Sequence, residues 1–121
     1  MSTVLVVEDS PTQRELISGV LKGSGLSVIV ACDGVEALEQ VQGHLPDIVV
    51  LDIVMPRMNG YEVCRRLKAN AKTQSLAVVM CSAKKEEFDR YWGMRQGADA
   101  YICKPFHPQE LLVTVKQLLR R

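Results

Sequence analysis

Ile48-Val49-Val50-Leu51-Asp52-Ile53-Val54-Met55-Pro56 is a run of branched aliphatic residues interrupted by one carboxylate and closed by a proline that cannot continue a central strand. Unbroken aliphatic character, without polar alternation, predicts a strand buried on both faces, as in parallel sheets covered by helices. Such a strand delivers Asp52 to its carboxyl end. Ligands of α/β sheets bind at the carboxyl ends of strands, so an acid held there is more suggestive than one on a helix face.

The same pattern recurs on either side. Thr3-Val4-Leu5-Val6-Val7 reads as a buried strand ending in Glu8-Asp9, and Leu26 to Ala31 is a second aliphatic run. Leu76 to Cys81 is a fourth, ending at Ser82-Ala83-Lys84, and Ala98 to Cys103 a fifth, ending at Lys104-Pro105. Helices are predicted between them. Ser10 is an N-cap, Pro11 suits the first helical position and Gln13 completes a capping box, so a helix runs to about Lys22, where Gly23 and Gly25 stop it. Asp33-Gly34-Val35-Glu36 starts another, with Val35, Leu38 and Val41 at helical spacing. Asn59-Gly60-Tyr61-Glu62 caps a third, to about Ala69, with Val63, Cys64 and Leu67 inward. Lys85 to Gln96 is a fourth, with Phe88, Tyr91 and Trp92 along one side and Gly97 closing it. The last starts near His107-Pro108, buries a stripe of Leu111, Leu112, Val115, Leu118 and Leu119, and sets Arg120 and Arg121 at the negative end of its dipole.

Alternating strands and helices with short connections imply a doubly wound α/β domain, a five-stranded parallel sheet with right-handed crossovers and helices on both faces. Periodicity leaves the strand order open. The 121 residues, 47% hydrophobic and 24% charged, fit one domain spanning 1–121 with a single ordinary core. No apolar run approaches the roughly 18 residues of a membrane span and no signal-peptide pattern opens the chain, so a cytoplasmic, non-membrane protein is expected. Fifteen basic and 14 acidic residues leave a net charge of +1 with no block of either sign, which argues against nucleic acid as a partner. Cys32, Cys64, Cys81 and Cys103 are irregularly spaced without a C-x-x-C, and read as reduced thiols that pack as small hydrophobes. His44 and His107 stand in turns, as surface or capping residues.

In a parallel sheet Glu8, Asp9, Asp52, Ser82 and Lys104 all fall on one edge. Three neighbouring carboxylates resist ionising together unless a cation joins them. A hard divalent ion such as Mg²⁺ meets that need with carboxylate and carbonyl oxygens, keeping waters to exchange for a phosphate. Lys104 adds a charge for an anionic ligand, and Ser82 a hydroxyl. A carboxylate needs no base to attack phosphorus, so Asp52 fits a nucleophile that becomes an acyl phosphate.

Glu8-Asp9-Ser10, Asp52-Ile53-Val54-Met55-Pro56-Arg57-Met58-Asn59-Gly60, Ser82-Ala83-Lys84 and Tyr101-Ile102-Cys103-Lys104-Pro105-Phe106 together resemble the CheY-like receiver domain of two-component response regulators, in order and in register over the whole chain. The resemblance implies a flavodoxin-like strand order 2-1-3-4-5. It implies that Asp52 accepts a phosphoryl group from a histidine kinase of the CheA kind. Glu8, Asp9, Asp52 and the main-chain carbonyl of Val54 would hold Mg²⁺. Lys104 would pair with the phosphate across a cis bond to Pro105. Ser82 and Tyr101 would switch with it, and a downstream protein would read the face of the fourth helix, fifth strand and last helix. Tyr91-Trp92-Gly93-Met94-Arg95-Gln96-Gly97-Ala98 is similar to receivers of pilus motility of the PilH and PilG kind, so a stand-alone regulator of pili or of chemotaxis is expected. Such a protein catalyses only its own phosphorylation and dephosphorylation.

Glu8 replaces the more frequent Asp of the family. Val54 and Lys84 are expected to flank the approach of a hydrolytic water, which an apolar Val54 cannot orient, so slow to moderate self-dephosphorylation is expected. A phosphatase of the haloacid dehalogenase type would want an acid where Val54 stands. A flavin carrier would want a Ser/Thr/Gly-rich loop after the first strand. The remaining alternative is a phosphorylation-independent interaction module of receiver fold, which has no need of mutually repelling acids.

Overall fold

The computed structural model of the chain describes residues 2–121. Strands and helices alternate as β1 (Thr3–Val7), α1 (Pro11–Gly23), β2 (Ser27–Ala31), α2 (Gly34–Gly43), β3 (Ile48–Leu51), α3 (Gly60–Ala69), β4 (Ala77–Ser82), α4 (Glu87–Arg95), β5 (Ala100–Cys103) and α5 (Pro108–Leu119). All strand pairs are parallel and the sheet runs β2-β1-β3-β4-β5, the doubly wound, flavodoxin-like order. β3 is the central strand. Its register, Ile48 against Val4 on one side and against Ala77 on the other, leaves all four of its side chains without solvent exposure.

Because side chains alternate along a strand, the sheet carries two cores. Leu5, Val7, Val49, Leu51, Val78 and Met80 pack against Val63, Cys64 and Leu67 of α3 and Ala37 and Val41 of α2. Val4, Val6, Ile48, Val50, Val79 and Ile102 pack on the other face against Ile17 and Leu21 of α1 and Leu111 and Val115 of α5. Each fully buried aliphatic side chain contributes about 1.5–3 kcal/mol, which is why a chain of this size holds a sheet covered on both faces.

The N-caps form as the local sequence dictates, but the capping box expected of Gln13 does not, because the Ser10 amide donates to Glu8 instead. Ser10, Asp33 and Asn59 each accept a backbone N–H three residues ahead, from Gln13, Glu36 and Glu62. Gly25 follows α1 at φ +87°, a left-handed turn that favours glycine. β2 starts at Ser27, one residue later than the aliphatic run that begins at Leu26, and Val30 is exposed because β2 is an edge strand. No helix of the described residues is long and apolar enough to cross a membrane.

α4 departs from the sequence expectation. It is shorter than Lys85 to Gln96, and the side that carries Phe88, Tyr91 and Trp92 is exposed. Phe88 and Trp92 stack with centroids 6.2 Å apart, and Trp92 lines a cleft with Tyr61 and Arg65 of α3. Tyr91 flanks Phe88 on that same side, since residues three and four apart are neighbours on a helix surface. Gly93, not an aromatic, faces the sheet: a Cβ there would stand 2.7 Å from Met80 Sδ and 3.3 Å from the Tyr101 ring. Local composition could not show that the helix sits too close to the strands for any side chain.

The cysteines divide by depth. Cys64 and Cys81 are buried, Cys103 is half-buried and Cys32 is exposed. Burial pushes the Cys64 thiol up to about 11 and Cys81 to about 12, from an ordinary value of 9.0. Their protons are therefore held more tightly in the folded chain, and stability falls as pH rises from about 9 toward these values. In native buffer at pH 8, a disulfide reagent should label Cys32 rapidly and reach Cys64 and Cys81 only in denaturant; equal rates at all sites would contradict this packing.

Candidate functional site

Parallel pairing continues one residue past three of the strands. Glu8 N–H donates to Ala31 O at 3.1 Å, Asp52 N–H to Val7 O at 3.1 Å, and Lys104 N–H to Ser82 O at 2.9 Å. These three residues are therefore held with strand-like rigidity at the carboxyl edge. Carboxylate oxygens of Glu8, Asp9 and Asp52 lie within 4.8 Å of one another. Lys104 Nζ donates to Glu8 Oε1 and, at 3.3 Å, to Asp52 Oδ2. The other Glu8 oxygen accepts from Ser10 N–H at 3.0 Å, and Asp52 Oδ1 from Ile53 N–H at 2.7 Å.

Depth separates the acids. Glu8 is 1% exposed and the Asp52 side chain 11%, whereas Asp9 is open to solvent. Burial holds the Glu8 carboxyl above the ordinary carboxylate range despite hydrogen bonds from Lys104 and Ser10, with the nearby Asp52 charge acting in the same direction as burial. Burial also opposes a charged Lys104, but the hydrogen bond to Glu8 and the charges of Asp52 and Glu8 outweigh it and hold the ammonium above its usual value. The edge is thus a cluster of negative charge only partly balanced by one cation, and its donors are all oxygens. That donor set fits a hard divalent ion such as Mg²⁺.

Glu8, Asp9, Asp52, Val54 and Lys104 share one cleft of about 620 Å³, with Leu16, Ala83 and Phe106 as an apolar rim. Ser82 and Tyr101 do not line it. Ser82 is fully buried and its Oγ accepts from Lys84 N–H at 3.3 Å. Tyr101 is buried on the α4 side of the sheet, its hydroxyl donating to the Lys84 carbonyl and its ring under the Arg90 guanidinium, 5.5 Å away. Burial pushes its phenol well above the ordinary value. Both residues hold the segment after β4, one by its amide and one by its carbonyl. Lys84 itself turns away from the cleft to pair with Asp89 at 3.5 Å, so of the two residues expected to flank a water's approach only Val54, 62% exposed, stands at the mouth. The attraction is to the Asp89 carboxylate itself, since the positive end of the helix dipole opposes a cation there.

The segment after β3 folds back over Asp52. Gly60 N–H donates to Ile53 O at 2.8 Å, and Arg57, at φ 67°, reaches α2 through a forked contact to Asp33. The Lys104–Pro105 bond is cis. Arg14 escaped the sequence reading: its guanidinium donates to the Glu8 carbonyl at 3.0 Å. A signal was present. A cation in the first turn of a helix opposes the dipole and calls for a local acceptor.

The comparisons with known proteins agree with this geometry. The chain is 36% identical over 119 residues to protein PilH of Pseudomonas aeruginosa, covering 98% of each chain. It is 42% identical over 118 residues to the DNA-binding response regulator MtrA of Mycolicibacterium smegmatis and, equally, to the transcriptional regulatory protein PhoP of Bacillus subtilis, covering 98% of this chain but 50% and 48% of theirs. The chain thus spans about half the length of these two relatives. Among solved structures, the chemotaxis protein CheY4 of Vibrio cholerae superposes with a TM-score of 0.91 at 30% identity, covering 98% of both chains. The Francisella response regulator 1452 receiver domain gives 0.93 at 29%, covering 100% of this chain and 98% of that one. The model of the response regulator receiver domain matches residues 4–116, from β1 into α5 and through every residue of the cleft, and the chain belongs to that family.

Proposed function

We propose that the chain is a phosphoacceptor receiver: Asp52 takes a phosphoryl group from a histidine kinase of the CheA kind, and the acyl phosphate changes the surface that a downstream protein reads. One observation carries this reading: three carboxylates within 4.8 Å of one another, two of them bridged by Lys104. An interaction module independent of phosphorylation gains nothing from acids that repel.

An Asp52 carboxylate oxygen attacks phosphorus, the P–N bond to the kinase imidazole breaks, and its electron pair stays on the ring nitrogen. Lys104, already hydrogen-bonded to Asp52, meets the negative charge that arrives. When bound, Mg²⁺ supplies further neutralisation of that charge, and Glu8, Asp9, Asp52 and the Val54 main-chain carbonyl are the groups that would hold it. Ser82 and Tyr101 act as switch residues through the segment they hold after β4. The output face comprises α4, β5 and α5, where Arg90 lies over Tyr101. Similarity to PilH along the whole of both chains favours control of pilus or other motility.

The test is incubation with Mg²⁺ and acetyl phosphate followed by intact mass measurement. Wild type is expected to gain one phosphoryl group and Asp52→Asn none; modification of both would move the acceptor elsewhere. Val54 offers no group to orient a water, so the adduct, followed after removal of the donor, is expected to outlast seconds. Decay within seconds would show that another residue positions the water.

A further inference from the structure

We propose that Arg14 is a positioning residue for the acids that take the divalent cation, above all Asp9; this rests on the metal reading of the carboxyl edge. The turn from β1 into α1 is closed by hydrogen bonds on every side of Asp9. Glu8 Oε2 accepts from Ser10 N–H, Ser10 caps the amide of Gln13, and the Ser10 carbonyl accepts from Arg14 N–H at 2.8 Å. The Arg14 guanidinium completes the ring at the Glu8 carbonyl, 3.0 Å away. That carbonyl belongs to the Glu8–Asp9 peptide, so holding it fixes the plane from which Asp9 projects.

Among the described residues no hydrogen bond is made to the exposed Asp9 side chain itself. Glu8 is fixed by burial, by Lys104 and by Ser10, and Asp52 by Lys104 and its neighbouring amide. Asp9 depends on its backbone. A planar guanidinium with a preset fork loses little freedom in making such a contact, which a lysine does not match.

Two effects of Arg14 oppose each other, and that makes the proposal testable. As a positive charge near a cation site it weakens Mg²⁺ binding, so its removal on that ground alone would tighten binding a few-fold. As a support for a ligating group its loss should weaken binding roughly tenfold, the lower end for groups that orient metal ligands.

Mg²⁺ affinity of the full chain is measured by titration calorimetry for wild type, Arg14→Met and Arg14→Lys, with urea midpoints taken in EDTA. The expected result is weaker binding in both variants, about tenfold in Arg14→Met, with EDTA midpoints near that of wild type. Unchanged or tighter binding by Arg14→Met would overturn the proposal. So would a fall in affinity matched by a fall in the EDTA midpoint, which is the mark of a merely structural role. A wild type that binds no Mg²⁺ would overturn the metal reading together with it, and so is distinguishable from a failure of Arg14 alone.

Discussion

Lys104→Met is expected to lose about 3 kcal/mol of stability at pH 7, measured by urea denaturation in EDTA, although the substitution adds an apolar side chain of similar reach. The Lys104 side chain is 11% exposed and that of Glu8 2%, so the pair is largely withdrawn from solvent. Removal of the ammonium leaves the Glu8 carboxylate with one protein donor, Ser10 N–H, and removes the bond to Asp52 Oδ2. Breaking one partner of a buried pair costs far more than the pair contributes in net terms, because the surviving charge remains desolvated. The double variant Glu8→Gln with Lys104→Met should therefore recover most of the loss. A single-variant loss below about 1 kcal/mol, or a double variant as unstable as the single, would mean that water reaches Glu8 and the pair is effectively at the surface.

Gly60→Ala should be the most disruptive one-carbon change in the protein, costing about 2–4 kcal/mol and impairing phosphorylation of Asp52 together with stability. A Cβ at Gly60 would collide with the Asp52 carbonyl oxygen and stand 2.9 Å from Ile53 Cα. Both obstacles are backbone, so no rotamer change relieves them. The chain would have to lift the segment after β3, breaking the bond from Gly60 N–H to Ile53 O and displacing the peptide that carries the phosphoacceptor. Gly25→Ala is the comparison: its φ of +87° is unfavourable for alanine, but nothing lies within 4 Å of the added carbon. It should cost about 1 kcal/mol and leave phosphorylation by acetyl phosphate intact. Equal losses in the two variants would show that backbone conformation, and not the close approach at Asp52, governs Gly60.

Much of the fold is legible before any coordinates are known. The runs at Thr3–Val7 and Ile48–Leu51 are strands because they lack polar alternation, and the caps at Ser10, Asp33 and Asn59 mark helix starts by chemistry confined to four residues. The candidate site follows from the same patterns once the sheet is known to be parallel, since Glu8, Asp9, Asp52 and Lys104 each follow a strand. α4 was harder to read. Its Phe88, Tyr91 and Trp92 share one side, but nothing in their spacing says which way that side faces; 68%, 58% and 42% of their surfaces are exposed, because Gly93 brings the backbone itself against Met80 and Tyr101. Lys84 departs from expectation for a related reason: spacing from Ser82 says nothing of Asp89, which captures it.

The sequence by itself determined the elements, the parallel sheet and the identity of the acids at its edge, since each depends on periodicity or on chemistry within a few residues. Tertiary structure alone decided which distant groups meet at those acids. Lys104 bridges Glu8 and Asp52 across 96 and 52 residues of chain, and Arg14 turns back from α1 onto the Glu8 carbonyl. Such pairings depend on strand order, register and side-chain direction, which follow from packing the whole chain at once and which no local pattern encodes.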